Sequence, residues 1–345
     1  MKKGKLSESI LKRSVFRLIK THREEVIKGA EVGGDCAFLS WKGNAGNQTV
    51  VSTQTIALPI RQAPYLAVMA ASNNLAAAGG EAAAVMLSLT LPEEASEESL
   101  KEIMRQAEDC CAGLHVQIAG GHTEVSDAVK SPVITATAIG YVRKDSDQEA
   151  APKDWAQQGD ASRMDLVLSK WVGLEGTAIL AGEKEEELSR RYPPHLITKA
   201  KNCKEQLSVA SEAAIALKSG VYAMHDVRNG GIFGALWELS QKIGVGLDVI
   251  LKDIPIKQET IEVCEFYDLN PYELLSGGCL LMVTENGGKL CDELSLAGIP
   301  ASVIGRTNCS NDKIVRNGDE VRYLTMPAQD EIWKVAFPAM KMEEK

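Results

Sequence analysis

Hydrophobic and polar positions along the first 142 residues repeat with two periods, one helical and one extended. The helical period occurs at 6–20, in PYLAVMAASNNLAAAGG (64–80) and in SEESLKEIMRQAEDCCAGL (96–114). Strands are predicted at TVVSTQT (49–55), AAAVMLSLTL (82–91), HVQIAGGHTEV (115–125, leading into a glycine turn) and SPVITATAIGYV (131–142). The order has a β–α–β–β–α–β-like rhythm and predicts an α/β fold class.

The helix at 96–114 has two candidate start signals. Ser96 is a candidate N-cap, and Glu97 and Glu98 follow in the first turn, where the helix dipole favours acidic side chains. Ser99 followed by Glu102 also fits a capping box, which would start the helix one turn later. Both starts stay open from the sequence.

A charged segment with few apolar residues, 143–165, separates this part of the chain from the rest. We place the domain boundary in it, near Asp154 to Asp160, which predicts domains at 1–156 and 157–345. The second domain begins with the strand DLVLSKW, continues through a long helical region to about Ser219 and alternates strand and helix up to Trp333. The tail after 339 is expected to be a frayed end.

Composition narrows the class of protein. The 345 residues are 45% hydrophobic and 25% charged, which is typical of a globular chain with two domains. The net charge of -9 argues against a nucleic-acid partner, and no apolar run is long enough for a membrane helix or a signal peptide. The eight cysteines form no C-x-x-C pair, which indicates reduced thiols rather than a zinc site. We therefore expect a cytoplasmic protein.

Four polar stretches in the first domain stand out as candidates for one shared site. They are Gly33-Gly34-Asp35, Thr53-Gln54-Thr55, Asn73-Asn74 and Gly120-Gly121-His122-Thr123-Glu124. Adjacent glycines allow a backbone to approach a phosphate closely. Consecutive asparagines inside an alanine-rich helix are costly by propensity, so they require a reason, such as a bond to a loop or a ligand.

Structural explanations of the same residues stay open. Paired glycines are more often simple turns, Asn73 and Asn74 can cap or bend their helix, and His122 alone is more often a hydrogen-bonded turn residue than a ligand. In the second domain, Asp226 precedes Gly230-Gly231 and an amphipathic helix. That turn can cradle a phosphate or serve as an Asp N-cap-like turn. Glu175, between glycines and ahead of an apolar run, is also notable.

The motifs resemble the family of aminoimidazole ribonucleotide synthase (AIR synthase) and its relatives over nearly the whole chain. The likeness is greatest to the AIR synthase-related group, often labelled as E-type hydrogenase expression/formation or maturation proteins. The segments that carry it are GGDCAF, TQTIALP, SNNLAAAGG, GGHTEV, TAIGYV, SKWVGLEGTAIL, MHDVRNGGIFGALWEL, LNPYELLSGGCLLM and IPASVIGR.

This resemblance implies a two-domain α/β (α+β) fold. Its N-terminal, ferredoxin-like sheet domain pairs with that of a second subunit to close a barrel, and a C-terminal α/β domain follows. It also implies a homodimer with ATP in the cleft, Mg²⁺ held by acidic side chains, and phosphoryl transfer that activates a small amide-like or related substrate.

Carried over by position, Asp35 and Asp226 match metal-binding aspartates of the family. Gln54 and Asn74 stand where the family has aspartates. His122 stands where some relatives have an aspartate, although selenophosphate synthetase-like members also carry a histidine there. The implied ATP-binding set is Asp35, Gln54, Thr55, Asn74, Gly120, Gly121, His122, Thr123, Asp226, Gly230 and Gly231. No catalytic residue is assigned.

These substitutions are departures from the family, and they lower the expected affinity for Mg²⁺–ATP because amides carry no charge. Arg228 replaces a threonine of the family turn; it either contacts phosphates or is a surface turn residue. The E-type proteins carry their group on a C-terminal cysteine, whereas the last cysteine here is Cys309. We therefore do not expect that carrier chemistry in this chain.

Three hypotheses follow. The first is an ATP-dependent enzyme that acts on a small substrate, and the second is a non-catalytic nucleotide-binding or scaffold homodimer. The third is a structural dimer without a ligand. A substitute carboxylate in the cleft, for example from Glu81, Glu124 or Asp127, would favour the enzyme.

Overall fold

Two β-sheets organise the chain in the computed structural model, which describes residues 6, 8–31, 33–41, 48–142, 161 and 163–338. The strands are β1 (Val26–Lys28), β2 (Ala37–Leu39), β3 (Gln48–Ile56), β4 (Glu81–Leu91), β5 (Gln117–Val125), β6 (Val133–Val142), β7 (Asp165–Ser169), β8 (Ala223–Val227), β9 (Gly246–Ile250), β10 (Cys279–Thr284), β11 (Ala301–Asn308), β12 (Lys313–Asn317) and β13 (Glu320–Tyr323). The helices are α1 (Glu8–Ser14), α2 (Ala63–Ala77), α3 (Glu97–Leu114), α4 (Leu174–Glu183), α5 (Glu185–Leu188), α6 (Pro194–Lys201), α7 (Ala210–Lys218), α8 (Gly231–Ile243), α9 (Gln258–Tyr267) and α10 (Gly287–Leu296).

The predicted domain boundary near Asp154 to Asp160 lies outside the described residues. The division into 1–156 and 157–345 therefore stays a prediction. The described strands of the first sheet end at Val142, and those of the second sheet begin at Asp165.

The first sheet has the strand order β1-β2-β3-β6-β4-β5. β3 pairs antiparallel with β6 along its whole length, and β4 runs parallel to β5. The chain passes through β3-α2-β4-α3-β5-β6, so the predicted β–α–β–β–α–β rhythm is wrong. Each helix joins two consecutive strands, and β5 leads to β6 through a short connection without a helix.

The two faces of the first sheet differ. Side chains alternate along β3, so Val50 is buried on the helix side while Thr53 and Thr55 are exposed on the other. The hydroxyls of Thr53 and Thr55 lie 2.9 Å from those of Thr137 and Thr135 on β6. We call this exposed, threonine-rich side the open face.

Helix α2 is buried along almost its whole length because it lies between the first sheet and the second half of the chain. Its alanines allow this close packing on both sides. Asn73 of α2 donates from Nδ2 to Leu207 O at 2.7 Å and accepts from Val209 N at 3.1 Å. One of the two costly asparagines is thus explained by a bond to a loop of the second half.

Helix α3 begins at the earlier of its two predicted starts. Ser96 Oγ accepts from Ser99 N at 3.1 Å, and Ser99 Oγ accepts from Ser96 N at 2.9 Å. This reciprocal pair is a capping box, with serine in place of the usual glutamate. Ser96 is therefore confirmed as the N-cap.

The second sheet has the strand order β13-β12-β9-β11-β7-β10-β8 and is covered by helices on both faces. Ala223 and Val227 of β8 pack toward α8, while Met224 packs toward α7 and α10. β8 is the edge strand of this sheet and lies next to α2. Its open edge therefore faces the first half of the chain.

The largest hydrophobic cluster runs through both halves. It joins Leu75 and Ile103 of the first half to Leu174, Ile197 and Leu274 of the second. A shared apolar core opposes relative movement of two domains, whereas small polar interfaces permit it. The cleft between the halves is consequently fixed by packing.

All eight cysteines are free thiols, and six of them are buried. Burial raises the pKa of Cys203 to about 11, so this thiol is protonated at neutral pH. Within the described ranges, no helix combines the length and the apolar character that crossing a membrane requires.

The contact of Asn73 with the second half predicts a loss of stability when it is removed. Asn73→Ala leaves one buried N–H and one buried carbonyl without partners, while helix propensity improves slightly. We expect a decrease of about 1–3 kcal/mol in the free energy of unfolding, measured by urea denaturation.

The matched control is Ser72→Ala, one residue away. Ser72 is buried, but its Oγ has no hydrogen-bond partner. This variant should stay within about 0.5 kcal/mol of the wild type. Equal unfolding midpoints for the two variants would contradict the assigned role of Asn73.

Candidate functional site

A polar cluster lies where the edge strand β8 meets the loop between β1 and β2. Gly33 in this loop has a φ of +71°, and a Cβ at this position would stand 2.9 Å from Glu238 O. Glycine therefore lets the loop lie against α8. Ser52 Oγ on β3 donates to Asp35 O at 2.7 Å. These contacts hold the Asp35 carboxylate beside β8.

His225 and Asp226 are neighbours on β8, so their side chains point to opposite faces of the second sheet. Because β8 is an edge strand, both side chains still reach the loop that carries Asp35. One possible ligand atom from each of Asp35, His225 and Asp226 lies within 4.8 Å of the other two. The predicted metal residues Asp35 and Asp226 are thus brought together, with a histidine that the sequence-based set did not include.

His225 is buried between acidic side chains. Its Nε2 lies 3.1 Å from Glu238 Oε2, and its Nδ1 lies 3.8 Å from Asp35 Oδ2. Burial by itself lowers the pKa of the imidazole, but the hydrogen bond to Glu238 and the charges of Asp35 and Asp226 outweigh it. The pKa of His225 is raised as a result, and its protonated form offsets part of the surrounding negative charge.

Lys242 lines the same pocket from α8 and donates from Nζ to Met224 O at 3.1 Å. Burial lowers the pKa of its ammonium group, while the charges of Asp35 and Asp226 act in the opposite direction. The pocket therefore contains two carboxylates with two lysines, Lys28 and Lys242, and a histidine around them. A lysine at this position competes with a bound cation for the same negative charge.

Gln54 and Asn74 connect this pocket to Arg228 through a chain of amide contacts. With its nitrogen turned toward Asp226, the Asn74 amide donates to Oδ2 at 2.9 Å and accepts from Gln54 Nε2 at 2.7 Å. The opposite orientation places donor against donor and acceptor against acceptor. Gln54 Oε1 in turn lies 3.4 Å from Arg228 Nη1. The two amides thus make a closed set of hydrogen bonds.

Arg228 is a partly buried residue of the cleft, so its interpretation as a surface turn residue is wrong. Its Nη2 and Nε donate to the two carboxylate oxygens of Glu175 at 2.8 and 3.2 Å. This two-point pairing fixes the plane of the guanidinium and leaves Nη1 directed at Gln54. Both charged side chains are largely buried, with 10% and 3% of their side-chain surface exposed.

Five residues of the predicted set lie away from this cluster within one chain. They are Thr55, Gly120, Gly121, His122 and Thr123. The strand register places Thr55, Thr135, Ser88 and His122 in one row across four strands. At about 4.8 Å per strand, His122 is about 14 Å from Thr55. A single shared site for all four polar stretches is therefore not formed within one copy of the chain.

The predicted glycine turn at Gly120-Gly121 is wrong, because both residues lie inside β5. The pairing with β4 skips Ala119, which indicates a β-bulge at this position. Gly121 has a φ of +152°, and a Cβ there would stand 1.8 Å from Leu87 O. The close approach of β4 and β5 therefore explains the glycine at this position without a ligand.

Main-chain N–H groups at the N-terminus of α8 already donate hydrogen bonds to acceptors within the protein. Gly230 N donates to Asp330 Oδ2 at 2.6 Å, and Gly231 N donates to Arg228 O at 3.1 Å. Phe233 N donates to a main-chain carbonyl at 3.2 Å. Of the two interpretations that the sequence leaves open, these contacts favour a structural turn.

A cavity of about 160 Å³ adjoins the cluster on the side of the N-terminal helix. Its apolar wall includes Leu11, Phe16 and Trp237, and Asp35 and Glu238 also line it. Asp35 lines this cavity and the pocket that contains His225. The Asp35 carboxylate therefore stands between two spaces, one polar and one mainly apolar.

Sequence reasoning missed His225, Glu238 and Lys242 and noted Glu175 without a role. The sequence did contain two signals of functional residues. One is the histidine directly before Asp226, and the other is Glu175, a glutamate inside an apolar helix. Glu238 and Lys242 lie on an ordinary amphipathic helix, and their burial depends on the loop that packs over them. The suggested substitutes Glu81, Glu124 and Asp127 lie on or next to β4 and β5; the carboxylates that join the cluster are Glu175 and Glu238.

Known proteins resemble this chain in sequence. A protein of Methanocaldococcus jannaschii with the provisional name hydrogenase expression/formation protein is 28% identical over 276 residues, 78% of each chain. A selenide, water dikinase of Treponema denticola is 26% identical over 351 residues, which is 91% of this chain and 93% of the relative.

The fold is also found in a solved structure. The hydrogenase maturation protein HypE, crystallised in complex with ATP, superposes with a TM-score of 0.68 at 17% identity, covering 96% of this chain and 97% of its own. The two-domain fold predicted from the resemblance is confirmed.

Family profiles match both halves of the chain. The profile of the AIR synthase related protein, N-terminal domain, matches residues 33–142, and that of the AIR synthase related protein, C-terminal domain, matches residues 165–316. The two matches together cover most of the chain and follow the order of the two sheets. The chain therefore belongs to the AIR synthase related protein family.

Proposed function

We propose that this chain is a cytoplasmic ATP-binding protein that activates a small substrate by phosphoryl transfer in the cleft between its two halves. The observation that carries the proposal is the convergence of Asp35 from the first half with Asp226 and Arg228 from the second. The ATP complex of HypE and the naming of relatives as a dikinase and as hydrogenase formation proteins support it.

Arg228 is the residue we assign to the phosphates. Glu175 holds the guanidinium through Nε and Nη2, and the remaining contact, from Nη1 to Gln54, is long at 3.4 Å. A phosphate oxygen is a stronger acceptor than a neutral amide. A preorganised arginine of this kind stabilises charge that develops on a transferring phosphoryl group.

The family implies Mg²⁺, but the donor set fits a tight Mg²⁺–phosphate site poorly. Positions 54 and 74 carry amides. The Asn74 side chain turns its nitrogen, which donates a hydrogen bond, toward Asp226, so its oxygen does not face Asp226. Lys242 also lines the pocket. Mg²⁺ prefers charged oxygen ligands, so we assign no step to it.

The small cavity beside Asp35 is the proposed substrate pocket. An engineered protein cavity of about 150 Å³ holds one benzene molecule, so about six heavy atoms fit in a cavity of this size. The pocket opens onto Asp35, at the boundary with the polar cluster. Its size favours a small molecule over a sugar nucleotide, and the carboxylates in its lining favour a neutral amide over a phosphate or a carboxylate.

The predicted residues Thr55, Gly120, Gly121, His122 and Thr123 enter the proposal through a homodimer. They belong to the first sheet, whose open face is left exposed by the part of the chain that the structure describes and also exposes Met86. A second copy that covers this face would bring His122 and its neighbours to a nucleotide held by the other chain. A second candidate function is that of a non-catalytic homodimer that binds a nucleotide. The closed hydrogen-bond network of Gln54 and Asn74 beside Asp226 favours it, because amides stand where the family has metal-binding acids.

The ATP proposal is tested by calorimetric titration with ATP in excess Mg²⁺ and in a chelator. We expect binding in both conditions, with affinities that differ by less than about threefold, since positions 54 and 74 carry neutral amides and Asp226 already accepts a hydrogen bond from Asn74. Absence of binding in both conditions would contradict the proposal. ATP hydrolysis or transfer, measured on the same sample, separates the enzyme from the non-catalytic alternative.

In the same titration, the double variant Glu175→Gln/Arg228→Gln removes the arginine without leaving a buried carboxylate unpaired. We expect ATP affinity to fall about 10-fold to 100-fold, the value of a charge-assisted hydrogen bond. The control is Asp248→Asn/Arg316→Gln, which removes a comparable surface pair. Equal ATP affinities for the two double variants would exclude Arg228 from the phosphates.

The dimer is tested by sedimentation equilibrium. The wild type should have twice the 37.2 kDa mass of the chain. Ser88→Arg places a charge in the middle of the open face and should yield monomers because two copies would bury like charges. Leu296→Arg, on the exposed end of α10, should remain dimeric. A monomeric wild type, or a dimeric Ser88→Arg, would contradict the proposed interface.

A further inference from the structure

Residues 327–337, which follow β13, pack against the core of the protein, and we call them the C-terminal strap. Ile332 is buried in the largest hydrophobic cluster, and Trp333, Val335 and Phe337 pack against the same cluster. The family profile for the second half ends at residue 316. The family match therefore assigns no role to the strap.

Asp330 is a buried carboxylate of the strap with three main-chain donors. Gly230 N donates to its Oδ2 at 2.6 Å, while Leu275 N and Ile332 N donate to its Oδ1 at 3.2 and 2.9 Å. The bond to Ile332 caps the short 3-10 helix Glu331–Lys334 within the strap itself. The other two bonds reach separate loops of the second half, and a helix cap does not require them.

The two loops that Asp330 joins support the main chain of Arg228. Gly230 follows Arg228 by two residues in one loop. In the other loop, Ser276 comes directly after Leu275, and its main-chain N donates to Arg228 O at 3.2 Å. A carboxylate that bonds both loops therefore fixes the backbone from which the guanidinium extends.

The loop at 275–277 supports Glu175 as well. Leu275 O accepts from Gly176 N at 2.9 Å, directly beside Glu175 in sequence. A Cβ at Gly277 would stand 2.3 Å from Glu175 Oε2, so the glycine lets the carboxylate lie against the loop. Both partners of the Glu175–Arg228 pair thus rest on one loop, and the strap carboxylate bonds that loop at Leu275.

We propose that Asp330 is a positioning residue for Arg228, which it holds in the orientation required by the phosphates of a bound nucleotide through its bonds to Gly230 N and Leu275 N. The inference rests on the proposed function, which assigns Arg228 to the phosphates. Asp330 acts through the main chain of the two loops rather than by contact with the nucleotide. A small displacement of a phosphate-binding group is costly, so a support of this kind affects binding from a distance.

The first test observes the orientation of Arg228 without ATP, by NMR of protein with ¹⁵N-labelled arginine. Asp330→Asn keeps the size of the side chain but replaces one acceptor oxygen by a donor group. We expect the Nε–H signal of Arg228, which donates to Glu175, to shift and to lose protection from solvent exchange. The signal of Arg316, paired with Asp248 at the surface, should stay unchanged.

Two conditions make this comparison specific. The Arg228 signal is identified by its absence in the variant Glu175→Gln/Arg228→Gln. Burial raises the pKa of Asp330 to about 7, so spectra are recorded at about pH 8.5, where its carboxylate is ionised.

The matched control is Glu331→Gln, in the next residue of the strap. Glu331 is also buried, but its Oε2 accepts from Asn270 N at 2.9 Å and pairs with Lys334. It holds the strap without bonding either loop that supports Arg228. The Arg228 signal should therefore stay in place in this variant. Equal changes in Asp330→Asn and Glu331→Gln would overturn the proposal, because general loosening of the strap would explain both.

The second test is ATP affinity, measured by calorimetry. Asp330→Asn should weaken ATP binding about 3-fold to 10-fold, and Glu331→Gln should leave it within about twofold of the wild type. In the background Glu175→Gln/Arg228→Gln, Asp330→Asn should cause no additional loss because the arginine that it positions is gone. A similar loss in both backgrounds would show that Asp330 does not act through Arg228.

The two tests separate this inference from the proposed function. A wild type that binds no ATP contradicts the proposed function, and the arginine spectrum alone then decides the role of Asp330. An unchanged Arg228 signal in folded Asp330→Asn, checked by circular dichroism, would refute that role. If this variant does not fold, Asp330→Glu replaces it, since it keeps a carboxylate but displaces it by one methylene. An unchanged Arg228 signal in Asp330→Glu would refute the role equally.

Discussion

The contact between Asn74 and Asp226 joins the two halves of this protein at the point where its charges are concentrated. Asn74 lies on α2, which is buried between the halves, and Asp226 lies on the edge strand that faces it. The amide donates to the carboxylate at 2.9 Å. The neighbouring Asn73 bonds the second half through Leu207 and Val209. Two consecutive side chains of one helix thus add polar contacts across the cleft to the apolar packing that fixes it.

Charge balance then constrains what the cleft can bind. In place of further carboxylates, the first half presents amides at positions 54 and 74, while the second half supplies His225, Arg228 and Lys242. The amide donors and the cationic side chains weaken the expected binding of Mg²⁺, because they already neutralise or hydrogen-bond much of the negative charge of Asp35 and Asp226. The arrangement retains an arginine paired with Glu175 and a cluster of carboxylates with a histidine, which differs from the aspartate set that the family resemblance implies.

Periodicity and capping were sufficient to predict most elements of the first half, including α2 and the Ser96 start of α3. The motif order predicted the two-domain fold. What could not be predicted was which polar residues meet. Thr55 and Gln54 are neighbours in sequence, yet strand alternation sends Thr55 to the open face and Gln54 to the cleft. His122 fits the motif pattern but lies across the sheet. Glu238 enters the site because α8 packs against β8 and brings its carboxylate to His225.

The central claim is that amide hydrogen bonds at positions 54 and 74 stand in for a Mg²⁺-dependent site. The most direct test is the thermal stability of Gln54→Asp/Asn74→Asp, measured with and without millimolar Mg²⁺ and compared with the wild type. We predict a wild type that is indifferent to Mg²⁺. The variant should lose about 1–3 kcal/mol without metal, because Asp226 loses a donor and gains a like charge, and should recover stability with Mg²⁺. A variant as stable as the wild type and unaffected by Mg²⁺ would contradict the account.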